Sequence, residues 1–202
     1  MAPDPAGTMR KIPEDARTEP GWALARFGDG GWWPAIERGL RAREFDQEVV
    51  AGLADILRGA GGGRGASGPG GLGGQGGPSG QGGPSGQGGP VAGVSWVTSV
   101  PSTRLGDLIA RLAERLAGEL GVPYLELVRR KEDRPPQREM ANAVQQAANV
   151  RGAFAVVAPP PPGTGILLDD RRSSGWTLAM VGGQLRRAGA ERVVPLALGT
   201  VV

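Results

Sequence analysis

Apolar positions along the chain fall into three regimes, and each predicts a different local structure. Over residues 19–58, a turn at Gly28-Asp29-Gly30-Gly31 precedes two helical stripes. Trp32, Trp33, Ile36 and Leu40 mark the first, and Phe45, Val49, Leu53, Ile56 and Leu57 the second, which Asp46 is placed to cap. Helices this short cannot close a core alone, so their tryptophans are expected to dock on the following domain or on a neighbour absent from the chain. Over residues 59–90 the periodicity disappears: glycine stands at every third position, and GQGGPS occurs twice between Gly74 and Ser85. From residue 91 to 202, apolar strands alternate with amphipathic helices.

In this last regime, residues 94–100 are β-branched and apolar, as a buried strand should be, and Pro101-Ser102-Thr103 stops them and can cap a helix. That helix carries Leu105, Leu108, Ile109, Leu112, Leu116 and Leu120 on one stripe and ends at Gly121 and Pro123. Further strands are expected at 124–128, 153–157, 165–168 and 193–198. Helices are expected over 137–150 and over about 175–188, the latter with Leu178, Val181 and Leu185 inward. Strands alternating with helices predict an α/β fold with a parallel sheet flanked by helices, and ligands then belong at the carboxyl ends of the strands. The organisation read from the pattern is a disordered N-terminus (1–18), a small helical segment (19–58), a Gly-rich low-complexity linker (59–90) and an α/β domain (91–202).

Composition sharpens two points. About half of the 37 glycines lie in the linker, so the remainder of the 202-residue chain can bury an ordinary core. The linker meets the Gly-X-Y register of collagen, but many of its Y positions are themselves glycine and prolines are few. A flexible coil spanning roughly 30 Å is therefore expected. The chain has no cysteine and no histidine, which excludes disulfides, thiolate and imidazole metal sites and any His-based triad. A metal would have to sit on oxygen ligands. The net charge of +3, almost all arginine on the basic side, permits an anionic partner. With a polar N-terminus and no long apolar run, the expectation is a soluble, cytoplasmic protein without membrane contact.

The segment Gly165-Ile-Leu-Leu-Asp-Asp-Arg-Arg-Ser-Ser-Gly-Trp-Thr177 carries the chemistry. It reads as an apolar strand ending in two carboxylates, followed by a small-residue turn that opens a helix. Backbone N–H groups at a helix N-terminus suit a phosphate, and Ser173, Ser174 and Thr177 add hydroxyl donors. Asp169 and Asp170 can accept hydrogen bonds from ribose hydroxyls and help hold Mg²⁺, directly or through water.

This stretch resembles the phosphoribosyl-pyrophosphate signature of type I phosphoribosyltransferases. The resemblance implies that Asp169 and Asp170 bind the ribose hydroxyls, and that Ser173, Ser174, Gly175, Trp176 and Thr177 cradle the 5-phosphate. It also implies that the loop after the first strand binds pyrophosphate through Ser102, Thr103 and Arg104. The order WVTSVPST, RPPQREM, QQAANVRGAFAV, SGWTL is similar to the phosphoribosyltransferase-like domain at the C-terminus of some bacterial RecQ-type DNA helicases and to ComF competence proteins. The upstream EPGWALARFGDGGWW resembles the segment joining helicase to that domain, yet no GxxxxGK[ST] phosphate loop is present.

Departures from the family pattern are specific. Arg171 and Arg172 replace two apolar residues, Ser173 stands where many members have an aspartate able to serve as base, and Trp176 is bulky. The resemblance and these departures together imply a module binding phosphoribosyl pyrophosphate or a nucleotide with Mg²⁺, associated with a RecQ-type helicase in DNA repair, recombination or uptake. Two alternatives stand beside it. One is a working transferase, with Asp169 and Asp170 as candidates for any catalytic role and the basic loop Arg129, Arg130, Lys131 supplying charge. The other is a non-catalytic DNA-interaction tail.

Overall fold

The computed structural model describes residues 14–59, 91, 93–131 and 153–201. Most of the Gly-rich stretch and the helix expected over 137–150 lie outside the described residues. In chain order the elements are β1 (Trp22–Arg26), α1 (Trp33–Ala42), α2 (Gln47–Arg58), β2 (Val94–Ser99), α3 (Leu108–Leu120), β3 (Val128–Arg130), β4 (Phe154–Val156), β5 (Thr164–Arg172), α4 (Trp176–Arg187) and β6 (Arg192–Thr200). Four strands form one sheet in the order β1-β6-β5-β2, with every neighbouring pair parallel. The expected class, a parallel sheet flanked by helices, is the one found.

The pleat divides the core in two. Val97, Ile166, Leu168, Val194, Leu196 and Leu198 face α1, α2 and α3. Trp96, Leu167, Val193 and Ala197 face α4 and the β3–β4 ribbon. Alternation along a strand requires this split, and it accounts for the nearly unbroken apolar runs of β5 and β6. Trp96 is fully buried and lies across Gly165, where an added Cβ would fall 2.1 Å from the indole ring; its Nε1 donates to the Pro161 carbonyl at 3.1 Å.

The segment before the linker differs from its expected form in a way that matters for the sheet. Trp22–Arg26 is a strand, paired in parallel with β6 through Trp22↔Leu196 and Ala25↔Gly199. Five residues with two alanines carry little β-propensity, so β6 supplies the reason for the strand. Ile36, Phe45, Val49, Leu53 and Leu57 join the same buried cluster as Leu112 and Leu116 of α3. Asp46 occupies the N-cap of α2, as expected, but its side chain makes no capping bond and lies 3.8 Å from Arg38. Residues 14–18, expected to be disordered, pack on α4 instead. Ala16 is buried, and an added Cβ at Gly182 would sit 2.3 Å from Thr18.

The expected strand over 124–128 is also displaced. Tyr124 makes a single parallel bridge to Val97. A tight turn, with Leu127 N–H donating to the Leu125 carbonyl at 2.9 Å, then bends the chain away. Its continuation, β3, pairs antiparallel with β4 as a separate ribbon. Among the described residues no helix is long and apolar enough to cross a membrane.

Candidate functional site

The carboxyl ends of β5 and β2 are adjacent in the sheet, and the residues singled out in the sequence gather there. Asp169 and Asp170 are not at the end of β5, as expected, but within it. Pairing with β6 continues through Arg171↔Gly199 and Arg172↔Thr200, and the Val201 N–H closes it on the Arg172 carbonyl at 2.8 Å. The arginine stems continue the strand beyond the apolar core while their charges stay in solvent, so they do not interrupt the ladder.

Leu167 faces α4 and Leu168 faces α3, and beyond them Asp169 is buried and Asp170 partly buried, with the two carboxyl groups within hydrogen-bonding reach of each other. Asp169 is 6% exposed, and its carboxyl is pushed up to about 8, first by burial and second by the charge of Asp170. The Asp170 N–H, donating to Asp169 Oδ1 at 2.8 Å, and the Arg171 charge oppose that rise without cancelling it. Burial therefore favours the protonated form of Asp169 over its carboxylate. Asp170 is more accessible and forms an ion pair with Arg104, which tethers the loop after β2 to β5.

The bend 173–175 leaves its donors available. Gly175 adopts φ +74° at the N-cap of α4, a conformation that favours glycine, and no side chain caps the helix. Among the described residues, the N–H groups of Ser173, Ser174 and Gly175 make no backbone hydrogen bond, and the helical ladder begins with Ala179 N–H donating to the Gly175 carbonyl at 3.0 Å. Trp176 and Thr177 form the first turn, whose amides lack intrahelical partners. In the β2 loop, Ser102 Oγ accepts from Leu105 N–H at 3.1 Å, so that hydroxyl shapes its own turn. This turn delays α3 to Leu108, later than the cap expected near Thr103.

Asp169, Asp170, Arg104 and the bend thus form one neighbourhood along β5. The basic run is placed elsewhere: Arg129 and Arg130 lie on the β3–β4 ribbon, where Arg130 stacks over Phe154 at 5.5 Å. Two contacts that the sequence did not single out lie by the loop. Ser99 Oγ and the Tyr124 hydroxyl share a hydrogen bond of 3.0 Å beneath it, and Arg43 Nη1 donates to the Arg104 carbonyl at 3.3 Å. Neither carries a sequence signal, since both contacts arise from distant segments.

The fold and this neighbourhood define a parallel α/β protein with an exposed donor-rich bend beside paired acids. No family model and no curated protein matches the chain. Two solved structures are similar over 52% of it at 22% identity. They are a glutamine phosphoribosylpyrophosphate amidotransferase from B. subtilis complexed with ADP and GMP, at a TM-score of 0.39, and a structure described as the allosteric regulatory enzyme of purine biosynthesis, at 0.38. The matches cover 23% and 22% of those chains, so this chain spans less than a quarter of their length. Likeness of this degree assigns neither family nor activity.

Proposed function

We propose that the carboxyl end of β5 binds a 5-phosphorylated ribose, as phosphoribosyl pyrophosphate or a nucleotide. The carrying observation is the bend 173–175, whose amides have no backbone partner among the described residues at the start of α4, just beyond Asp170 along the chain. In this reading the bend amides and the hydroxyls of Ser173, Ser174 and Thr177 take the 5-phosphate, while Asp170 and Asp169 meet the ribose hydroxyls. Protonated Asp169 can donate as well as accept. Arg104 would exchange its bond with Asp170 for a pyrophosphate oxygen, with the Ser102 and Thr103 amides beside it. Two carboxylates are too few for a protein-only cation cage but suit Mg²⁺ carried largely by ligand phosphates and water. The altered Ser173 favours binding over turnover, because serine is no base at neutral pH.

Calorimetric titration of the folded chain with Mg²⁺ and phosphoribosyl pyrophosphate tests the reading. Saturable heat that D170N abolishes is expected; absence of heat from the native chain overturns it. Released pyrophosphate on incubation with nucleobases would instead reveal a working transferase. The motif order from WVTSVPST to SGWTL further supports an association with a RecQ-type helicase. Co-purification with such a motor, or an in-frame helicase immediately upstream, is the expected finding.

A further inference from the structure

A cleft of about 270 Å³ lies where the α1–α2 connection crosses the beginning of α3. Phe45, Leu108 and Leu112, all nearly inaccessible, give it an apolar lining, and Arg43, Glu44, Arg111 and Arg115 complete it. The way these arginines are held distinguishes the cleft from a solvated charge cluster. Arg43 Nη1 donates to the Arg104 carbonyl at 3.3 Å, and Arg111 Nη2 to the Arg43 carbonyl at 2.9 Å. Arg115 donates to the Phe45 carbonyl and, at 2.9 Å, to Gln47 Oε1. Arg111 also pairs with Asp107, but among the described residues Arg43 and Arg115 have no carboxylate within ion-pair distance. Neutral acceptors fix the guanidinium groups without cancelling their charge, and each retains further N–H donors.

The backbone gives a second, independent sign. Arg43 closes α1 at φ 59°, and it is the one non-glycine residue with positive φ among those described. Helix ends of this kind usually take glycine, and a side chain there costs stability. The strained turn sets the Arg43 side chain against the Arg104 loop, where it donates to the Arg104 carbonyl.

We propose that this cleft binds a phosphate group of an anionic ligand, with Arg43, Arg111 and Arg115 as donors, as a site separate from the one around Asp170. Guanidinium forks match phosphate oxygens in pairs, and the buried Phe45, Leu108 and Leu112 form the floor beneath them. The source of the phosphate, a small molecule or a nucleic-acid backbone, is settled by the choice of probe.

The test titrates the full chain at low salt with pyrophosphate and with a labelled single-stranded oligonucleotide, in native, R43G and D170N forms. R43G suits the purpose because glycine is at home at this φ, so its melting temperature should equal or exceed that of the native chain. Saturable binding of at least one probe is expected, weakened about tenfold or more by R43G and likewise by R115Q, titrated alongside because its bonds reach only Phe45 and Gln47 and not the Arg104 loop, as for one lost charge-assisted hydrogen bond, and retained in D170N. Pyrophosphate binding identifies a small phosphate ligand. Oligonucleotide binding that falls steeply with salt and resists pyrophosphate identifies a nucleic-acid backbone. The proposal is overturned if neither probe binds, or if R43G binds both as tightly as the native chain. Pyrophosphate binding lost in D170N but kept in R43G would overturn this cleft and leave the sugar-phosphate reading standing.

Discussion

Replacing Asp169 by asparagine should stabilise the protein as pH rises, although it removes a residue of the proposed site. Asp169 is buried with its carboxyl raised from 3.8 to about 8, first by burial and then by the charge of Asp170. Between those two values the folded chain holds a proton that the unfolded chain has released, so stability falls as pH increases. Below about 4 both states are protonated and the slope vanishes; above about 8 both are ionised and the loss is constant. Each pH unit inside the window contributes about 1.36 kcal/mol. From pH 4 to pH 7 the D169N variant, whose amide cannot ionise, should therefore gain about 4 kcal/mol relative to the native carboxyl. Urea unfolding followed by tryptophan fluorescence at several pH values measures this directly, since the chain has five tryptophans. Parallel stability curves for D169N and native protein across this range would refute the reasoning, because they would mean the carboxyl ionises as readily in the folded state as in the unfolded one.

Three further expectations rest on the same geometry. D170N should change stability at pH 7 by less than about 1 kcal/mol, because its partner Arg104 is 58% exposed, and it should flatten the pH slope attributed to Asp169, since the Asp170 charge is the second cause of that shift; an unchanged slope on urea titration would contradict this. Gly165→Ala should cost about 1–3 kcal/mol by thermal melting, because the new methyl meets the buried Trp96 ring; an unchanged melting temperature would show that the indole can move aside. A fragment comprising residues 91–202 should fail to fold cooperatively, because Ile36, Phe45, Val49, Val50, Leu53 and Leu57 are removed from the core. At about 1.5–3 kcal/mol each, their burial amounts to on the order of 10 kcal/mol, comparable with the whole stability of a domain. A sharp unfolding transition in that fragment would show that the first core cluster is dispensable.

The parts of the fold that were legible in the sequence are those fixed by local pattern. Continuous apolar runs marked β2, β5 and β6, and the leucine stripe with Gly121 after it marked α3 and its end. Elements created by pairing were not legible. Trp22–Arg26 is a strand because the edge of β6 is available to it, and β5 outruns its apolar residues because β6 does the same. A backbone ladder rewards extension whatever the side chains, provided charged ones can reach solvent. For that reason Arg171 and Arg172, which read as the start of a loop, are strand residues.

The same extension changes the chemistry of the twin acids. Had β5 ended at Leu168, Asp169 and Asp170 would have stood on a flexible loop, both solvated and interchangeable. Held within the strand, they differ in setting: Asp169 is buried, and Asp170, less buried, pairs with Arg104. Two identical side chains thereby take different settings, one with its carboxyl raised by burial and the other in an ion pair. Burial of Asp169 lowers folding stability over the pH range in which proteins usually work, and no ion pair within the described residues offsets it.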